Sequence, residues 1–310
     1  MKKYLWLCLF AWGLISNAHA CINENYTEID WHTLKSKPFG PNLLIDTFSS
    51  SELYSHLQAL EEKPGSDTSL DIQNDMAVVY MRLGDPGTAK QMLLRLEGNH
   101  PGTYSVAANL GTCYELLGEI DSALIWIHKA ITISPKAHEN SEWIHVMILR
   151  YEKTKSKNPQ YLAGGSALML DFGNKDIPEN SYDLQVKELL LQLGYQLEER
   201  LQFVYAPDTL MGMLLFDYAN LCALNNDLKA ALVYFEKARE FGFQSDVLEA
   251  REARIQEMLE KNPEAGLNGQ EGKVVEAEEG SGTMIYLIAI GIALLSVGGV
   301  WLLLRKGRNR

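Results

Sequence analysis

The stretch AVVYMRLGDPGTAKQMLLRLEGNHP, residues 77–101, is repeated in outline by GTCYELLGEIDSALIWIHKAITISP, residues 111–135. The two stretches are offset by 34 residues and agree in residue type at seven positions. The matched pairs are Ala77 and Gly111, Tyr80 and Tyr114, Gly84 and Gly118, Ala89 and Ala123, Leu93 and Ile127, Leu96 and Ala130, and Pro101 and Pro135. A period of this length predicts helical hairpins that stack on one another, because a single hairpin cannot bury its apolar face alone.

Each matched position has a role in packing. Gly84 and Gly118 are expected to end the first helix of each hairpin, where a left-handed backbone costs least without a Cβ atom. Small residues are expected where the two helices of a hairpin cross, so Gly111 should face Ala123 in the second hairpin. Each Pro closes its unit, because Pro cannot continue a helix. None of these residues is placed for catalysis.

This pattern resembles the tetratricopeptide repeat, in which a small residue and a Tyr in the first helix precede a Gly at the turn, a small residue in the second helix and a closing Pro. The resemblance implies an all-α fold, a right-handed superhelical solenoid of antiparallel helix pairs. It also implies that the chain binds another protein or a peptide segment. Neither an enzyme activity nor a cofactor is implied.

A third copy of the spacing has Asn in the place of the turn Gly. Its matched residues are Ala219, Cys222, Asn226, Ala231, Phe235 and Ala238. Asn suits that turn because it tolerates the left-handed region of backbone conformation. The clear repeats are therefore expected at about 70–103, 104–137 and 212–243.

An irregular unit, 138–205, separates the second clear repeat from the third. Apolar spacing predicts its helices at 138–156 and 183–205, with Asp183 as the N-cap of the second. The loop between them, 157–182, is long enough to suggest a function of its own. An added helix at about 51–62 and a capping helix at 244–261 complete a helical domain at 50–261.

Both ends of the chain carry membrane-related signals. A short apolar run after two lysines, followed by an Ala-x-Ala cleavage site, predicts a signal peptide at 1–20. Residues 284–304 carry no charge and, at ~1.5 Å per residue, are long enough to cross a membrane. The basic tail, 305–310, is then cytoplasmic. The sequence thus predicts a single-pass membrane protein whose N-terminal domain is extracytoplasmic and lies in the periplasm of a bacterium.

The remaining segments are acidic or irregular. Residues 21–49 are expected to form an irregular N-terminal segment, and 262–283, rich in Glu and Gly, an acidic flexible stalk. All 40 acidic residues but only 22 of the 28 basic residues lie in 21–283, so this part has a net charge of −18. Such a domain repels phosphate backbones, so nucleic acid is not an expected partner.

The resemblance places the binding surface in a concave groove lined by the first helix of each unit. Matched residue by residue, this candidate peptide groove has Asn74, Val78, Met81 and Arg82 from the first unit, Ser105, Asn109, Thr112 and Glu115 from the second, and Phe216 and Asn220 from the third. Asn side chains there can bond the N–H and C=O groups of an extended peptide. Family members that hold a terminal carboxylate have basic residues where this chain has Asn74, Glu139 and Trp143, so that clamp is not expected.

Residues that could carry other chemistry are few. His138 and His145 share a helical face but lack the HExxH arrangement, so a groove or surface pair is expected rather than a metal site. Cys113 and Cys222 are expected to be buried as small apolar residues. The sequence therefore predicts no catalytic, cofactor-binding or metal-binding residue.

Two functions fit these features. The first is a membrane-tethered extracytoplasmic scaffold that mediates protein–protein interaction in the assembly of a bacterial cell-envelope complex. The alternative is a cell-envelope protein that binds a carbohydrate or small ligand through the loop 157–182, with Tyr161 and Phe172 as the aromatic contacts.

Overall fold

The computed structural model describes residues 49–162 and 165–265. Eleven helices lie in these ranges: α1 Ser50–Glu61, α2 Leu70–Arg82, α3 Pro86–Asn99, α4 Tyr104–Leu116, α5 Ile120–Ile133, α6 Ala137–Asn140, α7 Glu142–Lys157, α8 Val186–Arg200, α9 Thr209–Leu224, α10 Leu228–Glu240 and α11 Asp246–Lys261. No residue of these ranges forms a strand, so the all-α prediction is confirmed for this part of the chain.

The helices pack mainly against their neighbours in sequence. α2 packs against α3, α4 against α5 and α9 against α10, which gives the three hairpins that the spacing predicts. α3 also packs against α4, and α5 against α7, so that successive hairpins stack. α1 packs on α2 at the N-terminal side, and α11 packs on α10 at the C-terminal side.

The turns of the three hairpins have the same backbone geometry. Gly84, Gly118 and Asn226 have φ angles of 79°, 72° and 62°, so the predicted left-handed turns are confirmed. In the first turn the N–H of Asp85 donates to the carbonyl of Tyr80 over 2.9 Å, and the other two turns contain the equivalent bond. These bonds satisfy carbonyls at the helix end that would otherwise lack a partner.

Gly111 lies where α4 and α5 cross. A Cβ atom on Gly111 would stand 2.3 Å from Cδ1 of Ile127. The residue that faces Gly111 is therefore Ile127 rather than the expected Ala123, because the helices meet one turn further along α5. Ala123 is nevertheless fully buried.

The irregular unit differs from its prediction in two places. The first residues of the predicted helix 138–156 belong to the short α6, in which His138 and Glu139 have positive φ angles, so α7 begins only at Glu142. Asp183 is not the N-cap of α8, because its φ of 53° places it in the preceding turn and Gln185 occupies the cap. The long loop is present, since no helix lies between α7 and α8.

The two cysteines of the described ranges are packing residues. Cys113 and Cys222 are free thiols and are buried on α4 and α9, as the sequence predicts. Burial raises the pKa of the Cys113 thiol to about 12, and that of Cys222 is raised as well. Neither sulfur is therefore a thiolate at neutral pH.

Residues 1–48 and 266–310 lie outside the described ranges. The predicted signal peptide 1–20, the membrane span 284–304 and the basic tail 305–310 therefore have no structural description. Among the helices from α1 to α11, none is long and apolar enough to cross a membrane.

Candidate peptide-binding groove

The predicted groove residues lie on α2, α4 and α9, but nine of the ten are buried. Ser105 alone is half-exposed. Asn74 and Asn109 are fully buried, and Nδ2 of Asn109 donates to Oδ1 of Asn74 over 2.9 Å. These amides bond to each other across neighbouring units instead of facing solvent. Peptide binding by the ten residues stays a prediction, and it requires that the segments covering them move.

The helix α8 lies inside the structure between the first two units and α9. Its side chains Gln192, Gln196 and Arg200 follow at intervals of four residues, and each is no more than 5% exposed. Leu193 and Leu197, on another face, belong to the largest core cluster together with residues of α9 and α10. Both the polar and the apolar side of α8 are therefore buried.

The polar side of α8 covers the predicted groove of the first two units. Its contacts run in the reverse order of the chain, from the start of α7 to α4 and then to α2. They are Gln196 Nε2 to Ser141 Oγ over 3.0 Å, the guanidinium of Arg200 to the carboxylate of Glu115, and, directly after the helix, Arg82 Nη2 to Gln202 Oε1 over 2.6 Å. The side chains of α8 and Gln202 thus occupy the face of the first two units where the peptide groove was predicted.

Glu115 is the centre of a buried ion-pair network. Its carboxylate accepts hydrogen bonds from Arg200, and its Oε2 lies 2.6 Å from Nε2 of His145 on α7. Burial would raise the pKa of Glu115, but the charge of Arg200 and the contact with His145 lower it to about 2. Glu115 is therefore ionised at neutral pH, and its charge holds α4 to α7 and α8.

His138 and His145 are both buried, so they do not form a surface pair, and His145 instead contacts the predicted groove residue Glu115. Nδ1 of His138 lies 2.7 Å from Oε1 of Glu142, which also accepts a hydrogen bond from Tyr104 Oη over 2.6 Å. Burial would raise the pKa of Glu142, but the bond with His138 lowers it. In residues 49–162 and 165–265 no group of three His, Cys, Asp or Glu side chains could hold a metal ion.

The segment 165–179 covers the predicted groove of the third unit. Ser166 Oγ donates to Oδ2 of Asp217 on α9 over 2.6 Å. The same hydroxyl oxygen accepts the backbone N–H groups of Leu168 and Leu170, over 3.1 and 3.0 Å. Burial raises the pKa of Asp217 to about 8, against the effect of the bond from Ser166, so this carboxyl is mostly protonated at neutral pH.

The two aromatic residues that were expected to contact a ligand are covered to different degrees, whereas Tyr182 of the same loop is 71% exposed. Phe172 is 4% exposed and lies in the core cluster that contains Phe216 of α9. Tyr161 is half-buried, and its ring centroid lies 5.9 Å from that of Tyr151 on α7. Phe172 therefore cannot contact a carbohydrate while the segment 165–179 is in place, because the core needs its side chain.

Arg251 of α11 holds this segment by its main chain. The guanidinium donates to the carbonyl oxygens of Phe172, Gly173 and Lys175, over 2.8, 2.7 and 3.1 Å. A fourth hydrogen bond, of 2.7 Å, joins Nη1 to Oδ1 of Asn220 on α9. Burial lowers the pKa of Arg251 to about 10, so the side chain is still charged at neutral pH. Because it bonds carbonyl groups, this arginine recognises the path of a non-helical main chain whatever its side chains are.

Arg200 and Arg251 are absent from the sequence-predicted groove. A signal for Arg251 exists, because it stands between Leu248 and Ile255 on the buried stripe of α11. A charged residue in an apolar stripe indicates a buried polar partner. Arg200 has no such signal, since the buried polar side of α8 has the spacing of an ordinary solvated face.

Stacked helical hairpins with left-handed Gly or Asn turns define a helical repeat protein. The tetratricopeptide repeat family matches residues 104–136, which include all of α4 and α5. The protein therefore contains a tetratricopeptide repeat, as the resemblance predicts, and repeats of this kind generally bind other proteins or peptides. A comparison with curated proteins finds no match.

Proposed function

We propose that the protein is a membrane-tethered, extracytoplasmic scaffold that holds another protein during the assembly of a bacterial cell-envelope complex. The repeat at 104–136 supports a role in protein–protein interaction. The uncharged span 284–304 and the basic residues that follow it support a single membrane anchor with the helical domain outside the cytoplasm.

The observation that carries the proposal is the binding of a non-helical segment against α9 and α11. The segment 165–179 is not helical, and Arg251 bonds three of its main-chain carbonyls. The side chain of Phe172 is buried in the core cluster that contains Phe216. Main-chain hydrogen bonds combined with a pocket for a side chain are the means by which proteins bind extended peptides.

Mild crosslinking in the native membrane, followed by capture of the full chain, tests this function. We expect a defined protein to copurify with the wild-type chain. The matched control keeps residues 1–20 and 262–310 but lacks the helical domain, and it should capture nothing specific. A chain that captures no protein, and whose melting temperature rises with a soluble envelope glycan, would instead support the carbohydrate-binding alternative and contradict the scaffold.

A further inference from the structure

We propose that the segment 165–179 is an internal ligand, and that a non-helical peptide of the partner protein takes its place against α9 and α11. This inference rests on the proposed scaffold function, because it names the site and the chemical class of the partner. The expected partner segment carries a large aliphatic residue, then three residues, then an aromatic residue followed by Gly.

The length of the connection is the first argument. The hairpin of α2 and α3 is closed by residues 83–85, whereas α7 and α8 are joined by residues 158–185. A turn of a few residues is enough to connect two antiparallel helices. The additional chain is therefore not needed for the connection, and the structure uses it to fill a groove.

The second argument is the way in which the segment is bound. Leu168 and Phe172 point into the core and are each 4% exposed, while Met169 between them is 66% exposed. Arg251 bonds the carbonyls of residues 172, 173 and 175. The site thus holds the apolar side chains of Leu168 and Phe172, together with the smaller Ala167 and Pro178, and it reads the main-chain path, while Met169 and residues 174–177 are exposed.

The backbone favours Gly at the position after the aromatic residue. Gly173 has a φ of 69°, a left-handed conformation that costs least without a Cβ atom. The N–H of Glu179 donates to the carbonyl of Phe172 over 2.8 Å. A partner segment that follows the same path is therefore expected to favour Gly at this point.

The third argument is the polarity of the floor of the site. Asp217, Asn220 and Arg251 are each no more than 1% exposed. Oδ1 of Asp217 has no hydrogen-bond partner in the part of the chain that the structure describes. A buried polar atom without a partner is costly, and water would solvate these groups if the segment left. The floor therefore tolerates opening, and a peptide that supplies a hydrogen-bond partner for Oδ1 would bind it better than the internal segment does.

The binding test uses the purified full chain in detergent micelles and a fluorescent synthetic peptide with the sequence of residues 166–179. In one variant a Gly-Ser linker replaces residues 165–179. We expect the linker variant to bind the peptide, measured by fluorescence anisotropy. The wild-type chain should bind it at least about tenfold more weakly, because its own segment occupies the site.

Two altered peptides separate recognition from non-specific adhesion. The Phe172→Ala peptide should bind about tenfold or more weakly, because it loses the buried aromatic side chain. The Met169→Ala peptide is the matched control and should bind like the unaltered peptide, because Met169 is exposed. Equal binding of all three peptides would overturn the inference.

Hydrogen exchange of the wild-type chain keeps the inference testable if the linker variant does not fold. Excess peptide should increase the exchange of the backbone amides of residues 168–173 and leave those of α4 unchanged. Unchanged exchange in both regions, without peptide binding, would overturn the inference. The scaffold function would still stand if crosslinking captured a partner from the native membrane.

The occupant of the site is tested separately. We expect the linker variant to capture severalfold more partner protein than the wild-type chain does. If the wild-type chain instead forms a dimer whose dissociation is driven by the peptide, a second copy of this chain is the occupant and the proposed partner peptide is wrong.

Discussion

Gly111 of α4 and Ile127 of α5 are so close that no side chain fits between the two helices at that point. Gly111→Ala should therefore lower the free energy of unfolding by about 1–3 kcal/mol, because the added methyl group overpacks the crossing. Adding Ile127→Val, which removes the Cδ1 atom, should restore part of the loss. Denaturant unfolding of the full chain measures both effects.

The matched control for this crossing is Gly98→Ala. Gly98 is exposed on α3, and nothing lies within 4 Å of a Cβ atom there. Since Ala is the better helix former, this change should increase the free energy of unfolding by up to ~1 kcal/mol. Equal effects of Gly98→Ala and Gly111→Ala would mean that α4 and α5 do not cross at Gly111.

The hairpin turns predict opposite effects for two substitutions. Gly84 has a φ of 79° and nothing within 4 Å of a Cβ atom, so Gly84→Ala should cost about 1–2 kcal/mol through backbone strain alone. Asn226 has a φ of 62°, so Asn226→Gly should be neutral or stabilising by less than ~1 kcal/mol. Thermal melts distinguish the two, and a strongly destabilising Asn226→Gly would contradict the shared turn geometry.

Removal of the charge of Glu115 should destabilise the protein strongly. Glu115→Gln leaves the buried guanidinium of Arg200 without its carboxylate, at a cost of about 3–5 kcal/mol. The exposed pair of Asp121 and Lys153, 2.6 Å apart, is the control, and Asp121→Asn should cost less than ~1 kcal/mol. Equal losses in the two variants would show that the buried network does not hold α8.

Asp217 predicts a dependence of stability on pH. Its pKa is raised to about 8 in the folded state, above the ordinary value of 3.8. The contribution of protonated Asp217 to the free energy of unfolding is then fully present below pH 3.8. It is lost as the pH rises towards 8, at up to ~1.4 kcal/mol per pH unit. Asp217→Asn should remove this contribution, so its free energy of unfolding should fall less than that of the wild type between pH 5 and pH 8.

Glu152 has a pKa raised to about 8 by burial and by nearby Glu115. Its ionisation therefore also lowers the free energy of unfolding as the pH rises, as that of Asp217 does. Only the difference between the wild type and Asp217→Asn therefore reports on Asp217. Parallel pH profiles for the two proteins would show that this carboxyl ionises normally.

The membrane topology is tested by proteolysis of spheroplasts. With the helical domain outside the inner membrane, added protease should digest residues 21–283 and leave a small membrane fragment that contains 284–310. A cytoplasmic marker protein is the control and should be digested only after lysis. Protection of the helical domain in intact spheroplasts would refute the proposed orientation.

The regular hairpins could be predicted from the sequence because their signals are local. A left-handed Gly or Asn turn and small residues at a fixed spacing require little knowledge of the rest of the chain. The turn at Asn226 and the burial of Cys113 follow from such rules. The error at Gly111 has the same origin, since spacing alone does not show at which turn of α5 the helices meet.

The contents of the groove could not be predicted, because they depend on contacts between distant parts of the chain. Arg200 and Glu115 are 85 residues apart, and Arg251 and Phe172 are 79 residues apart. The predicted groove residues were placed on the correct helices. The prediction that they are exposed to solvent was wrong, because α8 and the segment 165–179 of the irregular unit cover the faces that a regular array would leave open.

The covalent connection of the segment 165–179 to both α7 and α8 determines how a partner must compete with it. A tethered ligand of this kind has an effective concentration on the order of millimolar and is never diluted away. A partner present at about 1 µM must therefore bind the open site roughly a thousandfold more tightly than the segment does to occupy half of the molecules. With the proposed membrane anchor, confinement of both proteins to one membrane surface would lower this requirement, because it would raise the local concentration of the partner.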